Sequence, residues 1–168
     1  MNKIGFENFR SFDDTGFIDI KPLTIFVGTN SSGKSSILRS FPLIKESLRL
    51  KPIGPILWSN DQVDFGSFEE VKKRDSSKNE IILKFSTKVA INRNSFLYRQ
   101  SFSDYPSNDS VHESKIYVKI MKNNDKEYIS SVLIEIYDHS IEIKYNDNYK
   151  KKDESEKKNN YNYNYYIY

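Results

Sequence analysis

The stretch FVGTNSSGKSS, residues Phe26–Ser36, sets two glycines around four small polar residues and follows them with a lysine and serines. Gly28 to Ser35 fits the spacing G-x-x-x-x-G-K-[ST], which has meaning only when a strand enters it and a helix leaves it. Both flanks fit. Upstream, Pro22 precedes Leu23-Thr24-Ile25-Phe26-Val27, an apolar run of the kind expected for a strand buried on both faces. Downstream, Ile37, Leu38, Phe41, Ile44 and Leu48 recur at three and four residues, a helical stripe. Pro42 inside that stripe predicts a kink near Leu38–Phe41, and Pro52 predicts a stop.

The chemistry of such a loop is anion binding. Gly28 and Gly33 reach backbone conformations closed to residues with a Cβ, so the chain curls and its amides converge as a concave nest. The N-terminus of the following helix adds free amides and a positive dipole end. The residues expected at the phosphates of a nucleoside triphosphate are Gly28, Thr29, Asn30, Ser31, Ser32, Gly33, Lys34, Ser35 and Ser36. Lys34 is expected between the β- and γ-phosphates, and Ser35 on Mg²⁺. ATP and Mg²⁺ are the cofactors implied. The spacing speaks for binding and not for hydrolysis.

Working outward, Lys3–Phe9 is predicted as a strand with Ile4, Phe6 and Asn8 on one face. Ser11–Thr15 is predicted as a turn and Gly16–Ile20 as a second strand. Lys51–Pro55 (KPIGP) marks a loop, and Trp58 and Phe65 are expected to anchor the chain after the helix on the core. From Glu80 the pattern alternates. Lys115–Met121, Tyr128–Tyr137 and Ile141–Tyr145 predict an antiparallel layer over about 80–145. Its turns are expected at Lys122–Glu127 and Asp138–Ser140, and its loop at Ser103–Ser114. The last 23 residues hold six of the 12 tyrosines with six asparagines and five lysines. Such low complexity predicts a disordered tail over 146–168, after a single lobe over 1–145.

Composition removes several classes of function. The chain has 168 residues, 26 basic and 23 acidic, for a net charge of +3. That balance is too mild to argue for nucleic acid by itself. With no cysteine, disulfides, thiolate metal sites and cysteine nucleophiles are excluded. The two histidines, His112 and His139, fall in a predicted loop and a predicted turn, as solvated side chains. No segment has the ~20 apolar residues of a membrane helix, and the N-terminus has no signal-peptide run. The expectation is a cytoplasmic protein without a membrane partner. Glu69-Glu70 and Lys72-Lys73-Arg74 are read as an exposed, charge-laced segment. Asp64-Phe65-Gly66 lacks every other element that would make it a kinase metal triplet.

The residues NFRSF (Asn8–Phe12), PLTIFVG, GTNSSGKSS and VDFGSFEEV (Val63–Val71) together resemble the start of RecF/SMC-like, ABC-type ATPase heads. More narrowly they resemble the AAA-type ATPases grouped with OLD-family nucleases and prokaryotic defence ATPases. The resemblance covers Ile4 to about Val71. It implies an α/β P-loop NTPase N-terminal lobe with a mixed sheet, one main helix and an antiparallel β layer. It further implies ATP binding and hydrolysis coupled to DNA or an effector such as a nuclease. The head would dimerise around nucleotide or be completed by a C-terminal lobe. Arg10, in the NFR position, is a candidate nucleotide contact, and Gln62 a candidate for Mg²⁺ or the attacking water.

The departures from that pattern matter equally. The family's later strand, four apolar residues ending in Asp-Glu, has no counterpart. VLIEIYDH (Val132–His139) is nearest, and Glu135 interrupts its apolar run. There is no Ser-Gly-Gly signature and no later catalytic histidine, so no catalytic residue is assigned and the lobe is incomplete relative to the family. Two alternatives stay open: a truncated, non-hydrolysing nucleotide-binding fragment or interaction module, and a nucleic-acid-binding module in which the loop holds backbone phosphate.

Overall fold

A computed structural model describes residues 1–50, 54–91, 110–124, 126–136, 139–145 and 163–167. In chain order the elements are β1 (Lys3–Phe9), β2 (Phe12–Asp14), β3 (Ile18–Asp19), α1 (Lys34–Leu50), α2 (Phe68–Val71), β4 (Glu80–Ile91), β5 (Ser110–Asn123), β6 (Lys126–Ile136), β7 (His139–Tyr145) and β8 (Tyr163–Ile167). The strands form one sheet in the order β2-β1-β4-β5-β6-β7-β8, with β3 also pairing with β1. Every pairing among the described residues is antiparallel. The parallel component of the expected mixed sheet is not formed among them.

The core grows from β1. Alternation turns Ile4 and Phe6 inward, and both are fully buried. Regular alternation would send Phe9 to the opposite face. Asn8 prevents this by taking φ +55, a region open to asparagine at low cost. Phe9 therefore stacks on Phe6 with centroids 4.7 Å apart. The buried Asn8 side chain donates to the carbonyls of Lys78 and Glu80, fixing the start of β4. Trp58, Val63, Phe65, Phe68, Val71, Ile81, Leu83 and Ile120 complete this core with Ile37 and Leu43 of α1. Trp58 and Phe65 thus anchor the chain after the helix, as expected. The Trp58 indole also donates to Glu127 at 2.6 Å.

The helix begins at Lys34 and runs uninterrupted through Pro42 to Leu50. Its buried face is Ile37, Ser40, Leu43, Glu46 and Ser47, with Phe41 and Ile44 partly buried. Leu38 and Leu48, expected in the buried stripe, face outward. Ser40 and Ser47 tolerate burial because their hydroxyls donate to the carbonyls of Ile37 and Leu43, at 2.6 and 2.8 Å.

The largest departure lies just before the glycine loop. Leu23–Val27, expected as a doubly buried strand, carries no regular structure, and Leu23, Ile25 and Val27 are 78%, 73% and 85% exposed. A strand buried on both faces needs neighbours on both edges. The path of this sheet never passes the segment. Smaller corrections follow from pairing. Phe12–Asp14, expected within a turn, is β2, because the chain reverses at Arg10 (φ +55) and lies back on β1. The strand expected over Gly16–Ile20 shortens to β3.

In the β layer, residues 110–114 of the expected loop belong to β5, so His112 lies in a strand opposite Val89. The β5–β6 turn tightens around Asn124 at φ +45. His139, expected in a turn, opens β7 opposite Ile136. Of the tail expected to be disordered, Tyr163–Ile167 pairs with β7 as β8. Tyrosine and isoleucine favour strands, and β7 would otherwise present an unpaired edge. The remainder of that tail, the stop at Pro52 and the 103–109 part of the expected loop lie outside the described residues.

One charged cluster holds β1, β2 and β4 together. Lys84, its side chain 8% exposed, bonds Asp14 at 2.7 Å and approaches Glu7 at 3.4 Å. Lys78 donates to Glu7 at 2.8 Å, and this bond, against the opposing effect of burial, holds the Glu7 carboxyl below its ordinary 4.5. A carboxyl depressed in the folded state contributes fully above its unfolded pKa and loses that contribution as pH falls through the folded value. The denaturation midpoint should therefore drop as pH falls below about 5. Glu7→Gln should be less stable at neutral pH with a shallower acid slope. Parallel pH profiles for the two proteins would contradict this.

Candidate functional site

The glycine loop is held from three sides. Gly28 (φ +151), Ser31 (φ +62) and Gly33 (φ +92) depart from ordinary backbone and produce the curl. Ser32 N–H donates to the Thr29 carbonyl at 3.4 Å, and Ile37 N–H to the Gly33 carbonyl at 3.1 Å, which starts α1. From below, the β1–β2 turn presses against Gly33. A Cβ there would lie 2.2 Å from Phe12 Cζ and 2.7 Å from Ser11 Oγ. Glycine is required twice over, by its backbone angle and by this close approach.

Lys34 folds back across the loop. Its ammonium donates to the Gly28 carbonyl at 2.9 Å, the Thr29 carbonyl at 2.5 Å and Ser32 Oγ at 3.3 Å. All three ammonium protons are spent on uncharged oxygens of the loop itself. A phosphate oxygen adds a full negative charge that these oxygens lack, so the lysine is poised to exchange partners toward an anion.

The loop opens on a cleft of about 620 Å³, lined on the loop side by Ser31, Ser32, Gly33, Lys34, Ser35 and Ser36. Arg10, Ser11, Glu70, Lys72 and Arg74 complete the lining. Backbone bonds bring this second group there. Arg10 N–H donates to Val71 at 2.7 Å, Lys73 N–H to Asn8 at 3.2 Å, and Phe9 bridges to Lys72. After α2, Lys72 is extended (ψ +145) and the chain turns at Arg74 and Asp75. Lys72 and Arg74 line the cleft, while Lys73 turns away to pair with Asp13.

Phe65 braces this wall. The Arg10 guanidinium lies 5.5 Å and that of Arg39 5.2 Å from its ring centroid. Arg10 Nη1 also donates to the Glu70 carbonyl at 2.9 Å, and Arg39 Nη2 to the Asp64 carbonyl at 2.8 Å. Asp64 Oδ1 accepts from Gly66 N–H at 2.9 Å, and that bond, with one from Ser59, holds its carboxyl below the usual range. It organises a turn. Glu70, the one carboxylate on the cleft lining, accepts from Ser67 N–H at 2.6 Å at the start of α2.

Of the residues expected from sequence, the structure brings Ser31–Ser36 and Arg10 to one cleft. Gly28 and Thr29 reach it through the carbonyls that hold Lys34. Asn30 is exposed and is not on the lining, whereas Ser35 is exposed and lies on it. Gln62 is not brought to the cleft. It sits in the 59–64 segment with its N–H on Asn60 Oδ1 at 2.9 Å. Lys72 and Arg74 were hidden within a charged run. No spacing signal separates them, because their placement depends on the turn at Arg74 and Asp75. Among the described residues no group of three or more His, Asp or Glu could hold a metal ion. A cation here would rely on Ser35, phosphate oxygens and water, the set that suits Mg²⁺.

A family model described as an AAA ATPase domain matches residues 1–168. No curated protein and no solved structure matches the chain. No helix among the described residues is long and apolar enough to cross a membrane.

The Gly33 contact yields a direct test. Gly33→Ala should destabilise by about 3 kcal/mol, combining a forbidden backbone angle with overlap on Phe12. Gly16→Ala shares a positive φ (+61) but has open space around it, and should cost only about 1 kcal/mol. Equal losses in chemical denaturation would show that the Phe12 contact is absent.

Proposed function

This chain belongs to the AAA ATPase domain family, and we propose that it is a nucleotide-binding lobe taking Mg²⁺-ATP in the cleft between the glycine loop and the Arg10–Arg74 wall. The observation that carries this reading is the folded-back Lys34, caged by its own loop's oxygens at the mouth of a cation-rich cleft. Loop amides and Lys34 bind the β- and γ-phosphates, and Ser35 supplies a hydroxyl to Mg²⁺. When bound, the ion neutralises phosphate charge. Arg10, already oriented by Phe65 and Glu70, lies against the nucleotide.

Turnover needs a group that orients the attacking water. The sequence has no apolar strand ending in Asp-Glu. Glu135, in its nearest approximation, is occupied by Tyr117, whose hydroxyl donates to it at 3.0 Å. The proposal therefore includes a second lobe, in the same or another polypeptide, that brings the water-activating carboxylate. The outward Leu23, Ile25 and Val27 support it, because three large apolar side chains leading into a binding loop are costly to leave wet. We further read it as a cytoplasmic head akin to the RecF/SMC-like and OLD-nuclease-like ATPases, a reading supported by the Asn8–Phe12, Gly28–Ser36 and Val63–Val71 stretches. There, nucleotide-driven dimerisation would couple to DNA or a nuclease effector, including in anti-phage defence.

The test pairs binding with turnover. Titration with fluorescent ATP and Mg²⁺ should give saturable binding that Lys34→Ala weakens by at least about ten-fold. Phosphate release by this chain alone should match that of the Lys34→Ala protein. Equal affinities would remove the loop from the site, and release well above the variant would place a complete catalytic set within these 168 residues.

A further inference from the structure

Four cations line the cleft, and their commitments differ. Lys34 is held by the loop, Lys72 Nζ pairs with Glu69 at 2.9 Å, and Arg10 donates to the Glu70 carbonyl while stacking on Phe65. Arg74 is exposed and has no acceptor among the described residues. Its backbone is nonetheless fixed. Lys73 N–H is tied to Asn8, Ser76 N–H donates to Lys73 at 3.3 Å, and Asp75 turns the chain at φ +64. A guanidinium held in place at the main chain and unspent at its fork suits a phosphate, which it can grip with two parallel bonds.

Resting on the nucleotide reading above, we propose that Arg74 is a second anchor for the triphosphate chain, on the wall that follows α2, and so a determinant of affinity that the glycine-loop spacing does not contain. The ligand is then gripped by two walls, the loop with Lys34 and the segment tied to the end of β1. Glu70 on the same lining repels anions, so the four cations together have to outweigh it. Lys73 is the internal control, because it has the same local charge but pairs with Asp13 away from the cleft.

The test is competition titration on the full chain with Mg²⁺-ATP and with inorganic tripolyphosphate as probes. Arg74→Ala should weaken both by about ten-fold, as expected for a lost charged hydrogen bond. Arg74→Lys should fall between, keeping charge without the fork. Lys73→Ala should stay within about two-fold of the unsubstituted protein. Wild-type affinity in Arg74→Ala, with Lys34→Ala still impaired, overturns the second anchor and leaves the loop assignment standing. If neither variant loses affinity, the nucleotide reading itself fails. A loss confined to ATP, with tripolyphosphate unchanged, would mean that Arg74 reads the nucleoside, and would also overturn the proposal.

Discussion

The contact between Gly33 and the Phe12 ring is the constraint on which the site depends. It joins the loop to the β1–β2 turn, and it is so close that a single methyl group would not fit. The loop needs such a support because the segment leading into it has no strand neighbour. Its exit is secured by the Ile37 N–H bond that opens α1, and its floor by Phe12. The left-handed turn at Arg10 brings that floor up, and the one at Asn8 buries Phe9 beside it. Two positive-φ residues in β1 and its turn thus set the height of the loop above the sheet.

Electrostatics acts on a second scale. The cluster of Glu7, Asp14, Lys78 and Lys84 is internally paired and serves the packing of β1, β2 and β4. The cleft is the opposite case, with four cations against one carboxylate. Like charges brought together destabilise a folded chain unless each finds a partner. For Lys34, Arg10 and Lys72 the partners are carbonyls, an aromatic face and Glu69, and Arg74 has none among the described residues. The folded protein therefore holds a positive concavity whose strain a polyanion would relieve.

Local chemistry was legible in the sequence, and burial only in part. The glycine loop, the helix after it and the pairing of β5 with β6 and of β6 with β7 follow from residue identity and spacing, because those signals act over a few neighbours. Leu23–Val27 shows the limit. Its composition is that of a buried strand, but burial is conferred by other strands, and none among the described residues lies against it. The same reason turns Leu38 and Leu48 outward while Ser40 and Ser47 face the core. Phe12–Asp14 pairs because Arg10 reverses the chain, and nothing in an arginine announces a positive φ. Lys72 and Arg74 were masked by Lys73, since a charged run does not reveal which members share a side until the path of the backbone is known.

That the loop between Gly28 and Ser36 forms an anion nest on its own support is tested most directly by the amide resonances of an isotopically labelled chain titrated with Mg²⁺-ATP. Amides pointing into a nest respond strongly when an anion enters it. The largest shifts should fall on Ser31–Ser36, with Arg10, Lys72 and Arg74 following and β5–β7 unmoved. Shifts concentrated on β5–β7, with the loop amides unchanged, would contradict it.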